Sequence, residues 1–254
     1  MQDRAALVAA MLEATKLAGD RILAVSAGAL NPERKSDESP VTAADRAADA
    51  AIVEILSAKA PGIPIVSEEN AASIAVGPPP GPYFLVDPLD GTRGFIEGSD
   101  EYTVNIALIE DGVPVLGTIL VPRWRELTWV SADGRAMTSL RGGKPVAITA
   151  RHAPADGMIA VTSRTTAGGK TAAYLSGFTI SRRLLASSSL KFCQIASGLA
   201  DIYPRFGPTH EWDIAAGDAI LRAAGGSVRT PDGAAMGYGK PRWRNGAFVA
   251  RGRV

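Results

Sequence analysis

Apolar residues near the start of the chain recur at helical spacing. Leu7, Met11, Thr15, Ala18 and Ile22 fall on one stripe, which predicts an amphipathic helix within residues 1–26. A polar loop over 31–40 leads to a second helical pattern over 42–59, with Thr42 placed to cap it and Asp45 in its first turn. The pattern then changes to short buried strands at 63–67 and 83–87, divided by a Gly- and Pro-rich loop over 77–82, and each strand leads into acid. Residues 103–109 and 113–121 flank Glu110-Asp111-Gly112, a hairpin signal, and 126–131 adds a third strand to the meander. From about Lys144 short strands (158–162, 200–203) alternate with helices (189–197, 213–224), the last stopping at Gly225-Gly226. These elements divide the chain into an N-terminal half of helices on an antiparallel sheet, 1–143, and a C-terminal α/β half, 144–254. No repeat, low-complexity tract or long linker separates the halves, which predicts a shared interface, the usual place for a small-ligand cleft.

Composition narrows the partners. At 254 residues and 46% hydrophobic, the chain can bury a sizeable core, and disorder is excluded as its main state. Its 27 basic and 26 acidic side chains leave a net charge of +1, so no chain-wide positive field draws nucleic acid or an anionic membrane. An anionic ligand must be met locally. The single cysteine, Cys193, sits in an apolar stretch and reads as a buried hydrophobe, which fits a reduced cytoplasm, with peripheral inner-membrane association left open. An Ala-Val-Ser-Ala stretch at 24–27 resembles a signal-peptide cleavage site, but Asp3, Glu13 and Asp20 interrupt the apolar region before it. The longest uncharged run, 70–86, contains Pro78, Pro79, Pro80 and Pro82, so no transmembrane segment is read.

The candidate chemistry lies in acids at the ends of elements: Ser67-Glu68-Glu69, Asp87-Pro88-Leu89-Asp90-Gly91-Thr92, and Trp212-Asp213 far downstream. Hard divalent cations take carboxylate, carbonyl and water oxygens, and phosphate sites commonly hold Mg²⁺ through a few carboxylates. With only His152 and His210 present, a histidine-rich zinc or iron cluster is poorly supported. Pro88 turns the chain at once and would present the Leu89 carbonyl, while Gly91 would let backbone N–H groups approach a phosphate closely. Asp213 is placed to start the last helix, whose dipole favours an ionised carboxylate. Taken alone, Asp213 also reads as an N-cap, Glu68-Glu69 as a solvated loop end and Asp45 as a first-turn acid.

Together these segments, with Phe95 and with Ile214-Ala215-Ala216-Gly217 after Asp213, resemble the signature motifs of the inositol monophosphatase superfamily along nearly the whole chain. Ser36-Asp37 and Ser39-Pro40-Val41-Thr42-Ala43-Ala44-Asp45 resemble its N-terminal motif. The resemblance implies an α+β fold, a layered αβαβα sandwich of the sugar-phosphatase type, and a Mg²⁺-dependent phosphomonoesterase. Glu68, Asp87, the Leu89 carbonyl, Asp90 and Asp213 would hold two Mg²⁺ ions, with a third recruited by substrate as an option. Thr92 and Glu68 would orient and deprotonate the attacking water, with Asp45 hydrogen-bonded to Thr92 as supporting or alternative base. Gly91, Thr92, Arg93, Ser189 and Asp213 would meet the substrate, and direct attack by water would invert phosphorus without a phosphoenzyme.

Within the superfamily, Ser188-Ser189-Leu190-Lys191-Phe192-Cys193 and Tyr203-Pro204-Arg205-Phe206-Gly207-Pro208-Thr209 resemble the bacterial CysQ-type 3′(2′),5′-bisphosphate nucleotidases. Lys191 and Arg205 would suit a second phosphate. The implied reaction converts 3′-phosphoadenosine 5′-phosphate to AMP and phosphate, with a monomer favoured over a homodimer. An inositol monophosphatase or a sugar bisphosphatase with the same cluster is the alternative. A non-catalytic regulator should have lost a ligand or Thr92, and all are present. Lys191 also reads as a solvated helix residue, Arg205 as a strand-end salt-bridge partner and His210 as structural. The chain departs from the nucleotidase pattern after Ser163-Arg164, where relatives often carry a histidine and Thr165-Thr166-Ala167-Gly168-Gly169 stands instead. Gly168-Gly169-Lys170-Thr171 suggests a P-loop, but Arg164 occupies the position of its first glycine.

Overall fold

The computed structural model describes residues 3–26, 33–34, 40–164 and 168–253. Ser36, Asp37 and Ser39 of the N-terminal motif, and Thr165, Thr166 and Ala167, lie outside the described residues. The predicted stripe forms α1 (Arg4–Ser26), with Leu7, Met11, Thr15, Ala18 and Ile22 all buried. After a short antiparallel ladder, β1 (Glu33–Arg34) with β2 (Pro40–Val41), comes α2 (Ala43–Lys59). Its start is a capping box: the Thr42 hydroxyl accepts the Ala44 N–H at 3.1 Å, and the Asp45 carboxylate accepts the Thr42 N–H at 2.7 Å.

Both helices pack on one face of a seven-stranded sheet. Its strands run in chain order: β3 (Ile65–Ser67), β4 (Tyr83–Asp90), β5 (Thr103–Glu110), β6 (Val113–Val121), β7 (Glu126–Val130), β8 (Ala136–Ser139) and β9 (Val146–Ala147). β3 and β4 are parallel and every later pair is antiparallel. β4 runs past the expected end at residue 87. Its register slips between Asp87, opposite Asn105, and Asp90, opposite Thr103, so one extra residue bulges where Pro88 has no N–H for the ladder. Two short helices, α3 (Ala71–Val76) and α4 (Thr92–Ile96), were not expected from the periodicity.

The second sheet contains β10 (Met158–Thr162), β11 (Ile180–Leu185), β12 (Ile202–Arg205), β14 (Ser227–Arg229) and β16 (Phe248–Arg251) in the order β11-β10-β12-β16-β14. A small ladder, β13 (Thr209–His210) with β15 (Arg244–Asn245), lies beside it. α5 (Gly169–Leu175) packs against this sheet, while α6 (Leu190–Ala196) and α7 (Ala215–Ala223) fill the space between the two sheets. A Cβ on Gly117 of β6 would lie 2.5 Å from the Ala216 carbonyl, so glycine permits α7 to press directly on the first sheet. Phe192 of α6 stacks on Phe248 and meets Tyr203 edge-on, which ties the same layer to the second sheet. The fold is α+β with five layers, αβαβα. One hydrophobic cluster runs through both sheets. Among the described residues, no helix is long and apolar enough to cross a membrane.

One expectation is corrected here. The last helix begins at Ala215 rather than Asp213, and Ile214 occupies the N-cap without a side-chain bond. The Asp213 carboxylate instead accepts the His210 N–H at 2.8 Å, which holds it in the loop ahead of the helix.

Candidate active site

The ends of β3, β4 and β12 and the loops before α6 and α7 surround a cavity of about 600 Å³. Glu68 follows β3 and is pinned to β4 by its N–H, which donates to the Val86 carbonyl at 3.1 Å. Asp87 lies beneath it on β4, 1% exposed, and accepts the Leu89 N–H at 3.1 Å. Glu68, Asp87 and Asp213 bring carboxylate oxygens within 4.8 Å of one another. Asp90, at the end of β4, lines the same cavity, and its Oδ2 accepts the Ser189 N–H at 2.7 Å.

Crowded, enclosed acids resist ionisation. Burial, and then Glu68, Asp90 and Asp213, hold the Asp87 carboxyl well above the usual carboxylate range. Burial, Asp90 and Glu68 do the same to Asp213. Asp90 is pushed up to about 6 by burial, with Lys191 opposing the rise and Glu68 adding to it. Hard oxygen donors that repel one another fit a divalent cation, which needs such ligands and relieves their repulsion.

The Asp87–Thr92 turn is braced from both sides. The Thr92 hydroxyl lies 3.0 Å from Asp45 Oδ1 and 3.0 Å from the Leu89 carbonyl, so its single proton goes to one or the other. Gly91 has φ 97°, and a Cβ there would sit 2.3 Å from Ser188 Oγ. Only glycine fits that left-handed position. Ser188, itself at φ 55°, donates its hydroxyl to the Asp90 carbonyl at 2.9 Å.

Across the cavity Lys191 is 3% exposed, which overturns its reading as a solvated helix residue. Its ammonium donates to the Ser188 carbonyl at 2.6 Å and lies 5.0 Å from the centre of the Tyr203 ring. Burial pushes it down to about 8, against the pull of Asp90. Arg205, at the end of β12, donates through Nη1 to Ser163 Oγ at 3.1 Å and through Nη2 to the Pro208 carbonyl at 3.4 Å. Arg93 lines the cavity with an exposed side chain.

Ser189 does not line the cavity. Its side chain is buried behind the acid turn, 2.6 Å from Asn105 Oδ1 and 2.8 Å from Thr103 Oγ1, and Ser187 and Ser188 face the cavity instead. Sequence reasoning did not single out Glu101 or Asn105, and it gave Tyr203 no role beyond its place in the segment 203–209. The side-chain partners of Glu101 and Asn105 lie 63 to 86 residues away, and Tyr203 meets Lys191 only where α6 packs on β12, so no periodicity marks them.

Fold and site together define a class. The description of the inositol monophosphatase family matches residues 3–252, and the chain belongs to that family. The 3′(2′),5′-bisphosphate nucleotidase CysQ of Salmonella typhimurium is 43% identical over 224 residues, 87% of this chain and 89% of that protein. A crystal structure of CysQ from Bacteroides thetaiotaomicron, a bacterial member of the same family, superposes with a TM-score of 0.85 at 34% identity, covering 98% of each chain. A histidinol-phosphatase of Mycobacterium tuberculosis is 30% identical over 227 residues, 87% of this chain and 86% of that protein.

Proposed function

We propose that the chain is a Mg²⁺-dependent phosphomonoesterase that hydrolyses 3′-phosphoadenosine 5′-phosphate to AMP and phosphate. The observation that carries the substrate is Lys191, a buried ammonium facing the acid cluster across one cavity with Arg205 beside it. Burying a charge is costly unless a ligand or partner uses it. A second phosphate is such a ligand, and the CysQ relative of Salmonella typhimurium is named for a bisphosphate substrate.

Glu68, Asp87, the Leu89 carbonyl, Asp90 and Asp213 would hold two Mg²⁺ ions, with a third arriving with substrate. Mg²⁺ bound there supplies Lewis acidity for both the nucleophile and the leaving oxygen. The remaining work falls to the chain itself. Thr92, its hydroxyl fixed against Asp45 or the Leu89 carbonyl, orients the attacking water, and Glu68 takes its proton, with Asp45 as the supporting base. The N–H groups of Gly91 and Thr92 receive phosphoryl oxygens, and Arg93 and Asp213 border the ester. Water adds to phosphorus as the ester P–O bond breaks, which inverts phosphorus and leaves no phosphoenzyme. The same reading divides the chain at 143/144, so that Glu68, Asp87 and Asp90 come from one half and Asp213, Lys191 and Arg205 from the other. It takes the enzyme to be a cytoplasmic monomer without a nucleic-acid partner.

Phosphate release from 3′-phosphoadenosine 5′-phosphate and from inositol 1-phosphate, measured side by side with and without Mg²⁺, tests the reading. A strong nucleotide preference supports it. Equal or reversed preference moves the chain to a general inositol or sugar phosphatase, and no Mg²⁺-dependent release from either removes the hydrolase claim for these substrates.

A further inference from the structure

Among the described residues, four cations line the cavity: Arg93, Arg164, Lys191 and Arg205. Arg164 has no part in the mechanism above. It follows β10 at the cavity mouth with its side chain 60% exposed, and its Nη2 donates to Glu101 Oε1 at 3.1 Å. An ion pair at a rim contributes little to stability by itself. Glu101, however, is 17% exposed and is held further. Its Oε2 accepts the Ser187 N–H at 3.0 Å, and its backbone carbonyl lies 3.3 Å from the Ser188 hydroxyl, the longer of that hydroxyl's two acceptors after the Asp90 carbonyl at 2.9 Å. That serine turn carries the carbonyls that hold the Lys191 ammonium, Ser188 at 2.6 Å and Ala186 at 3.4 Å. One acid therefore sets Arg164 and Lys191 relative to each other, although it lies 63 residues from Arg164 in the chain.

The guanidinium uses one nitrogen on Glu101 and keeps the rest of a planar fork whose geometry matches a phosphate. A rim cation so oriented has no task in holding a reacting phosphoryl group at the cavity floor. We infer that Arg164, oriented by Glu101, is a specificity-determining residue that receives the substrate's second phosphate, the one that does not react. The inference rests on the bisphosphate reading of the same site.

Adenosine 3′,5′-bisphosphate and adenosine 3′-monophosphate share the reacting ester and differ in the 5′-phosphate, so kcat and KM for the pair isolate the contact. Arg164→Met should raise KM for the bisphosphate about ten-fold more than for the monophosphate, with the difference carried by KM and narrowed by salt. Arg164→Lys should recover part of the loss, and Glu101→Gln should shift the ratio in the same direction. Arg135→Met, which breaks an exposed pair with Asp133 far from the cavity, controls for loss of a surface charge and should leave the ratio as it was. An equal effect of Arg164→Met on both esters, or none on either, overturns the inference.

The wild-type preference over inositol 1-phosphate reports separately on the parent reading. If inositol 1-phosphate is preferred while Arg164→Met still acts selectively on the bisphosphate, the parent reading fails and the Arg164 contact stands. If the bisphosphate is preferred while the variant acts equally on both adenosine esters, the contact fails and the parent stands. If neither adenosine ester releases phosphate, both fall.

Discussion

Removing a carboxylate from the acid cluster should stabilise the metal-free protein. Asp90 rises from 3.8 to about 6 in the fold, chiefly through burial. A group whose pKa is raised on folding contributes stability that is fully present below its unfolded value, near 3.8, and is lost as pH rises through about 6. The full difference corresponds to about 3 kcal/mol, and because Asp90 borders an open cavity we take about 2 kcal/mol. Asp90→Asn removes the charge yet keeps an oxygen to accept the Ser189 N–H. It also relieves Asp87 and Asp213, both of which Asp90 pushes upward. In chelator near neutral pH the variant should therefore melt about 4–8 °C above the wild type, at about 2–4 °C per kcal/mol for a chain of this size. Near about pH 4.5, where Asp90 is mostly protonated in the fold, the gap should narrow to about a third, and it should close below about 3.8. Saturating Mg²⁺ should raise the wild type and leave the variant nearly unmoved. Thermal melts at these pH values, with chelator and with Mg²⁺, measure all of this. A variant no more stable than wild type near neutral pH, or a gap as large in acid, would refute the reasoning.

Thr92→Val should lower kcat about 100-fold with little change in the melting temperature, while Thr92→Ser keeps most activity. Asp45→Asn should lose activity and also weaken the α2 capping box by about 1 kcal/mol, so kinetics and thermal melts separate the two roles of that acid. Lys191 is charged below about 8 and neutral above it, so KM for the bisphosphate should climb as pH passes that value. Lys191→Met should start from a KM raised about ten-fold and lose that pH dependence, as initial rates across pH would show.

Much of the fold follows from local signals. The α1 stripe, the Thr42 cap with Asp45, and the hairpin at Glu110-Asp111-Gly112 each rest on residues within a few positions of one another, and each is present. The elements that went unread are short or apolar on too few positions. α3 is six residues inside a proline-interrupted run, and β11 exposes Arg182 and Arg183 at a sheet edge. Asp213 misled because an acid two residues before a helix looks like a cap, whereas its bond runs to His210. At the site, the acids were visible as strand-end carboxylates, but burial was not. Lys191 looks like any helix lysine until Tyr203 and the serine turn close over it, and Glu101 gains its meaning only from Arg164 and Ser187, which tertiary packing brings to it.

The most direct test of the acid cluster's role is phosphate release from 3′-phosphoadenosine 5′-phosphate, titrated with Mg²⁺ for the wild type and for Asp213→Asn. The account predicts a rate that is absent in chelator, saturates with Mg²⁺ in the wild type and stays near zero in the variant. Release in chelator at the full rate, or a variant whose Mg²⁺ dependence matches the wild type, would contradict it.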